Sequence, residues 1–142
     1  MHVVGRRPDR YHLLESLVVF ADIADELEAE SAAADGLRVV GPFAEALAGA
    51  DGNLVMRAVA AFRARWPRAI AAGLALTLHK NLPVAAGLGG GSADAAAALR
   101  LMAALSREPV AAADLMAVAA PPGADVPMCL MSRPSIALGI GE

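Results

Sequence analysis

Apolar residues along this chain recur at two different periods, and the changes between them mark out its elements. "HVV" at the start reads as a short strand, ended by the turn signal Pro8-Asp9. "YHLLESLVVF" is rich in β-branched and aromatic residues and reads as a second strand. The acidic run "ADIADELEAE" follows, with Leu27 and Ala29 alternating with charges, as in a solvated turn leading into an edge strand. "GLRVVG" is another short strand. Asp51-Gly52-Asn53 then opens a helix, with Asn53 as its N-cap and with Val55, Val59, Phe62 and Trp66 as its buried stripe. Pro67 stops that helix. In "LALTLHK" the period returns to two, placing Leu74, Leu76 and Leu78 on one face of a half-buried strand. The pattern predicts one helix from about Ser92 to Leu105 and another from about Val110 to Ala120, ending at Pro121-Pro122-Gly123. "DVPMCLM" and "SIALGIGE" finish the chain as short apolar elements. Strands and helices mix without a regular βαβ alternation, so the expected class is α+β, in one domain.

Composition changes this picture little. Apolar residues make up 57% of the 142 and mean hydropathy is +0.51, which raises the question of a membrane. The longest stretch without Asp, Glu, Lys or Arg runs only from Asn81 to Ala93, and glycine fills much of it. A spanning helix needs roughly 20 mostly apolar residues, so no membrane partner is expected; alanine accounts for the apolar count. The basic N-terminus "MHVVGRRPDRYH" has no apolar core after it and does not read as a secretory signal. Cys129 is the only cysteine, which excludes an internal disulfide and a zinc site of several thiolates. His2, His12 and His79 lack paired ligand spacing, and Asp22, Asp25, Glu26, Glu28 and Glu30 read as a solvated face rather than a metal cluster. A soluble, cytoplasmic protein is expected. A net charge of −3 gives no footprint for nucleic acid. Of the 12 basic residues, Lys80 is the only lysine.

The informative stretch is "KNLPVAAGLGGGSADAAAAL", from Lys80 to Leu99. Glycine weakens regular structure, yet here it is concentrated directly before a good helix. Glycines at that junction let backbone N–H groups converge on one point, and the unpaired amides of the helix's first turn face the same point. Such a place binds an anion, most often phosphate. The familiar phosphate loops do not match: G-x-x-x-x-G-K-[ST] and G-x-G-x-x-G both meet Ser92 where glycine is required. A tight strand-to-helix connection is the plain alternative.

The pattern Pro83-Val84-Ala85-Ala86-Gly87-Leu88-Gly89-Gly90-Gly91-Ser92-Ala93 resembles the ATP-binding motif of the GHMP kinases, the galactokinase, homoserine, mevalonate and phosphomevalonate kinase superfamily. Within it, "LPVAAGLGGGSADAAAAL" is most similar to the branch acting on 4-diphosphocytidyl-2-C-methyl-D-erythritol, in non-mevalonate isoprenoid biosynthesis. "GRRPDRYHLLESLVVFADIAD", "NLVMRA" and "GADVP" resemble other segments of that branch, in the right order.

The resemblance implies a fold like the second domain of ribosomal protein S5, with a mixed sheet packed against helices. It implies ATP and Mg²⁺ as cofactors and a small-molecule alcohol as substrate. Pro83 to Ala93 would wrap the ATP phosphates, Ser92 adding a hydroxyl toward phosphate or Mg²⁺. Asp125 in "GADVP" matches the catalytic base, though by its neighbours alone it reads as a helix cap. Tyr11 and His12 match the pair that holds the substrate's cytosine; Tyr11 could equally anchor a strand end. Lys80 and Asn53 fall near the adenine or the phosphates, while the plain readings are a solvated strand end and an N-cap. Asp94 is either a functional acid or a complement to the helix dipole.

Three departures accompany the resemblance. Family members open with a strand carrying Lys-x-Asn, whose lysine activates the catalytic aspartate, and continue into a second domain. The expectation is that residues 1–142 form the N-terminal ATP-binding domain without that strand or the C-terminal domain. Weak ATP binding, slow or absent turnover and self-association through an uncovered sheet edge would follow. Arg10 and Pro122 also replace residues usual in the family, which could displace a binding group. Two alternatives stay open: a kinase for another small alcohol, or a non-catalytic remnant that binds nucleotide or a partner.

Overall fold

The computed structural model describes residues 2–6, 12–48 and 52–139. These described residues form two three-stranded sheets, four α-helices and a short 3-10 turn at Ala44–Leu47. Strands β1 (His2–Arg6), β2 (His12–Val18) and β6 (Ser135–Gly139) form an antiparallel sheet in the order β1-β2-β6. Strands β3 (Glu26–Ala32), β5 (Gly73–His79) and β4 (Gly36–Val40) form a mixed one, with β5 in the middle, antiparallel to β3 and parallel to β4.

The mixed sheet positions everything that follows. Alternation turns Leu74, Leu76 and Leu78 of β5 inward, each at most 3% exposed. Their neighbours on the same face follow from register: Leu27 and Val39 flank Leu78, and Ala29 and Leu37 flank Leu76. Helices α1 (Leu54–Arg65) and α2 (Gly90–Leu105) complete the core. Val55, Val59, Phe62 and Trp66 are all buried, as their spacing requires, and the Phe62 and Trp66 rings pack with centroids 4.7 Å apart. Opposite them α2 presents Ala95, Ala96, Ala98, Leu99 and Met102, all without exposed surface. Alanine on this seam lets α1 and α2 approach closely, which is where much of the chain's apolar content goes.

Helix α3 (Ala112–Ala119) is shorter at each end than its pattern suggested. "DVPMCLM" becomes a helix, α4 (Val126–Met131), packed on α2 with Val126 and Cys129 buried. Pro127 sits in its first turn, where a missing N–H does no harm.

One polar knot ties α1 to the sheet. Arg63 donates through Nε to Asp35 Oδ2 (2.6 Å) and through Nη2 to Asp35 Oδ1 (2.7 Å), and also to the carbonyls of Ile70 and Ala72. Asp35 Oδ1 also accepts from the Leu74 amide, fixing the start of β5. The Arg63 guanidinium holds the Asp35 carboxyl below the usual carboxylate range, against the opposing effect of burial. No helix among the described residues is long and apolar enough to cross a membrane.

Phe62 fills the centre of this core with no exposed surface. Phe62→Ala is expected to destabilise the chain by about 3–5 kcal/mol, read as a lower urea midpoint at unchanged m-value.

Candidate functional site

Strand β5 delivers the chain to the glycine loop, and α2 takes it away. Between them the backbone has positive φ at alternate residues: Ala85 (58°), Gly87 (74°) and Gly89 (70°). Alternation of left- and right-handed residues turns successive N–H groups toward one side, the geometry of an anion-binding nest. Gly89 is the N-cap of α2 and offers no side-chain acceptor, so the helix's first amides stay unpaired. Among the described residues, Val84 and Ala85 form a turn, and after it the amides from Gly87 to Ser92 donate to no acceptor; Ala93 donates to Gly89 O at 3.0 Å. α2 therefore begins at Gly90, two residues earlier than its alanine pattern indicated, because glycine also forms its first turn.

The loop lines a cavity of about 360 Å³. Pro83 to Ser92 line it together with Leu47, Gly52, Asn53 and Leu54, and Lys80 and Asp94 also contribute to its wall. Ala93, the last residue of the expected motif, is not part of the lining. The cavity combines apolar side chains with unpaired amides, as ligand sites commonly do. Asn53 Oδ1 accepts from the Val55 amide at 2.9 Å, so the N-cap reading holds and Asn53 also lines the cavity.

Lys80 departs from expectation. It is not a solvated strand end: it is 3% exposed, and its ammonium is held between two carboxylates. Nζ donates to Asp25 Oδ2, and to Asp94 Oδ2 at 3.0 Å. Asp25 was expected on a solvated turn, but its side chain is 2% exposed. Asp94 is neither a free acid nor an exposed dipole complement, being 6% exposed and paired with Lys80. The signal that locates the three is parity. Lys80 continues the inward series Leu74, Leu76, Leu78, and Asp25 continues Leu27 and Ala29 on the strand paired to it. Asp94 precedes Ala98 and Met102 on the buried stripe of α2. The sequence gives no sign that the three meet: Asp25 falls in an acidic run, Lys80 at a strand end and Asp94 in a helix start.

Two carboxylates share one ammonium unequally. Burial raises the pKa of both. Asp25, however, has Lys80 and also the amides of Leu82 (2.8 Å) and Asn81 (2.6 Å) donating to it, and these outweigh burial and hold it below the usual range. Asp94 lacks the amide donors, so burial dominates and its pKa is pushed up to about 6. For Lys80 burial alone would lower the pKa, but the two carboxylates together raise it.

Asp125 stands exposed at the N-cap position of α4, and its side chain makes no capping bond. It is not among the residues lining the cavity. Tyr11 and Arg10 lie outside the described residues, as does the side chain of His12, whose backbone opens β2. Among the described residues no cluster of three or more His, Cys, Asp or Glu is placed to hold a metal ion.

The family model described as GHMP kinases N terminal domain matches residues 53–133, more than half the chain. The chain belongs to the GHMP kinase family. A relative from Chelativorans sp. (strain BNC1), named 4-diphosphocytidyl-2-C-methyl-D-erythritol kinase, is 48% identical over 142 residues. A Rhizobium etli protein of the same name is 54% identical over 145 residues. Each alignment takes in 100% of this chain and 48% of the relative, so the chain spans about half the length of the curated relatives it matches. A crystal structure of a 4-(cytidine 5'-diphospho)-2C-methyl-D-erythritol kinase superposes with a TM-score of 0.78 at 38% identity, over 99% of this chain and 48% of that one. A homoserine kinase from Cytophaga hutchinsonii shares the GHMP fold, with a TM-score of 0.57 at 18% identity over 79% of this chain and 34% of its own. The α+β class and the mixed sheet packed against helices are those of this family.

The raised Asp94 gives a signed pH prediction. Its folded state holds a proton more tightly than the unfolded chain, so its contribution to stability is full below about pH 4 and is lost as pH rises through about 6. Asp25 acts oppositely: its contribution is present above the unfolded value and lost as pH falls through its lowered folded value. A carboxyl-carbon NMR titration should show one resonance with a midpoint near 6, absent in Asp94→Asn.

Proposed function

We propose that residues 1–142 act as the N-terminal, ATP-binding domain of a small-molecule kinase that phosphorylates a hydroxyl of 4-diphosphocytidyl-2-C-methyl-D-erythritol. The observation carrying this reading is the run of alternating positive φ at Ala85, Gly87 and Gly89, ending on the uncapped first turn of α2. Its unpaired amides suit a polyphosphate in charge and shape. The adjoining wall of Leu47, Asn53 and Leu54 suits the flat, mostly apolar face of a nucleotide base.

ATP supplies the transferable γ-phosphoryl group. The loop's part is positioning and charge stabilisation, the two things phosphoryl transfer chiefly needs. Ser92, on the cavity wall, has a hydroxyl for a phosphate oxygen or for Mg²⁺, and such an ion would arrive with the phosphates, because Asp94 is committed to Lys80. Lys80 acts on the nucleotide through the loop rather than as a mobile cation, since its ammonium is engaged twice. Asp125 takes the proton from the substrate hydroxyl as that oxygen attacks phosphorus. Its exposure and its lack of a capping bond support that role. Tyr11 and His12 receive the cytosine, on the strength of the sequence motif. Self-association through an uncovered sheet edge belongs to the same proposal: β6 is an edge strand, and its Ile136 is 65% exposed.

Titration with MgATP should move the amide resonances of Gly87 to Ser92 before any others. Asp125→Asn should leave ATP affinity within about twofold while lowering phosphoryl transfer roughly 10²- to 10⁴-fold, followed by calorimetry and by phosphate incorporation into the diphosphocytidyl alcohol. Equal loss of binding and transfer would remove Asp125 from the role of base.

A further inference from the structure

The glycine loop makes almost no bonds of its own. Its residues from Ala85 to Gly89 are exposed, Leu88 at the tip is 59% exposed, and beyond the turn at Val84–Ala85 the Ala93–Gly89 bond is its one internal backbone bond among the described residues. A segment so glycine-rich should sample many shapes, and ordering it on binding would oppose affinity. What holds it must act at its ends. At the entry, Asp25 Oδ1 accepts from the amides of Asn81 and Leu82, directly before Pro83. At the exit, Asp25 Oδ2 accepts from Lys80, and Lys80 reaches on to Asp94 in the first turns of α2. One carboxylate thus holds the loop's entry directly and its exit through Lys80 and Asp94. Lys80 itself is fixed by its backbone: its amide donates to Val40 O at 2.7 Å and its carbonyl accepts from Phe43 at 3.2 Å. The fit above is close too, since a Cβ on Gly90 would stand 3.2 Å from Lys80 Nζ and 3.5 Å from Asp25 Oδ2.

We propose that Asp25 is a positioning residue for the anion-binding loop, fixing Pro83–Ala93 at both ends in the shape whose amides converge on phosphate. The inference rests on the phosphate-binding reading of the loop. Asp25 is not among the residues lining the cavity, so its influence on a bound anion passes through Asn81, Leu82, Lys80 and Asp94. Charge and position make opposite demands here. Removing a negative charge close to an anion site tightens anion binding by Coulomb's law; releasing the loop weakens it.

The test uses the whole 142-residue chain, inorganic triphosphate as probe, and Asp25→Asn, which keeps the shape and removes the charge. Affinity is expected to fall by roughly 2- to 30-fold, measured well below the melting temperature, with faster amide hydrogen exchange at Gly87 to Gly91 and unchanged exchange in α1 and β5. Unchanged or tighter binding would overturn the proposal, whatever happens to thermal stability. Asp25→Glu, which keeps the charge and moves it by one methylene, decides the matter if the first variant fails to fold: positioning lowers affinity, charge balance alone leaves it unchanged. If the unaltered chain shows no triphosphate-dependent shift at Gly87 to Ser92, the phosphate reading itself is lost. Loop exchange then judges the clamp alone, and unaltered exchange in the variants sinks it.

Discussion

A buried ammonium has to be paired, and in this chain that requirement organises the region around the loop. Taking Lys80 out of water costs several kcal/mol unless carboxylates replace its hydration. The two that do so come from different places: the segment before β3, and the first turns of α2. Satisfying one charge therefore joins the edge of the mixed sheet, the end of its central strand and the helix that follows. Gly41 belongs to the same arrangement, because a Cβ there would lie 2.9 Å from the Lys80 carbonyl oxygen. Only a residue without a side chain lets the end of β4 close over that strand end.

The apolar core supports this from below. Leu74, Leu76 and Leu78 press on α1 and α2 and set the height at which β5 releases the chain. The alanines of α2 bring its axis close to α1, and its N-terminus points its unpaired amides at the cavity. Burial, charge pairing and an uncapped helix end thus converge on one opening. The likeness to known kinases runs through the whole length of the chain rather than through the loop alone.

Much of this was legible in the residues. α1 declared itself by Asn53, its stripe and Pro67, and β5 by its strict alternation; both are local patterns. The glycine loop was legible as chemistry, since no regular element explains so many glycines before a helix. The parallel pairing of β4 with β5 was not, because register between distant segments leaves no local mark. α4 escaped notice because six residues are too few to display a helical period. The Asp25–Lys80–Asp94 cluster was misread because each residue was judged by its type. A charged residue on an inward-facing position needs a partner from another segment, and Lys80 finds its two 55 residues away at Asp25 and 14 away at Asp94.

Cys129, the single cysteine, lies buried on α4, the helix packed on α2. Burial raises its thiol pKa, and the nearby Asp125 charge raises it further. A thiol so shielded reacts with alkylating reagents only when α4 lifts away from its neighbour. Nature has thereby installed a reporter beneath the candidate base: its labelling rate reads how often that short helix breathes.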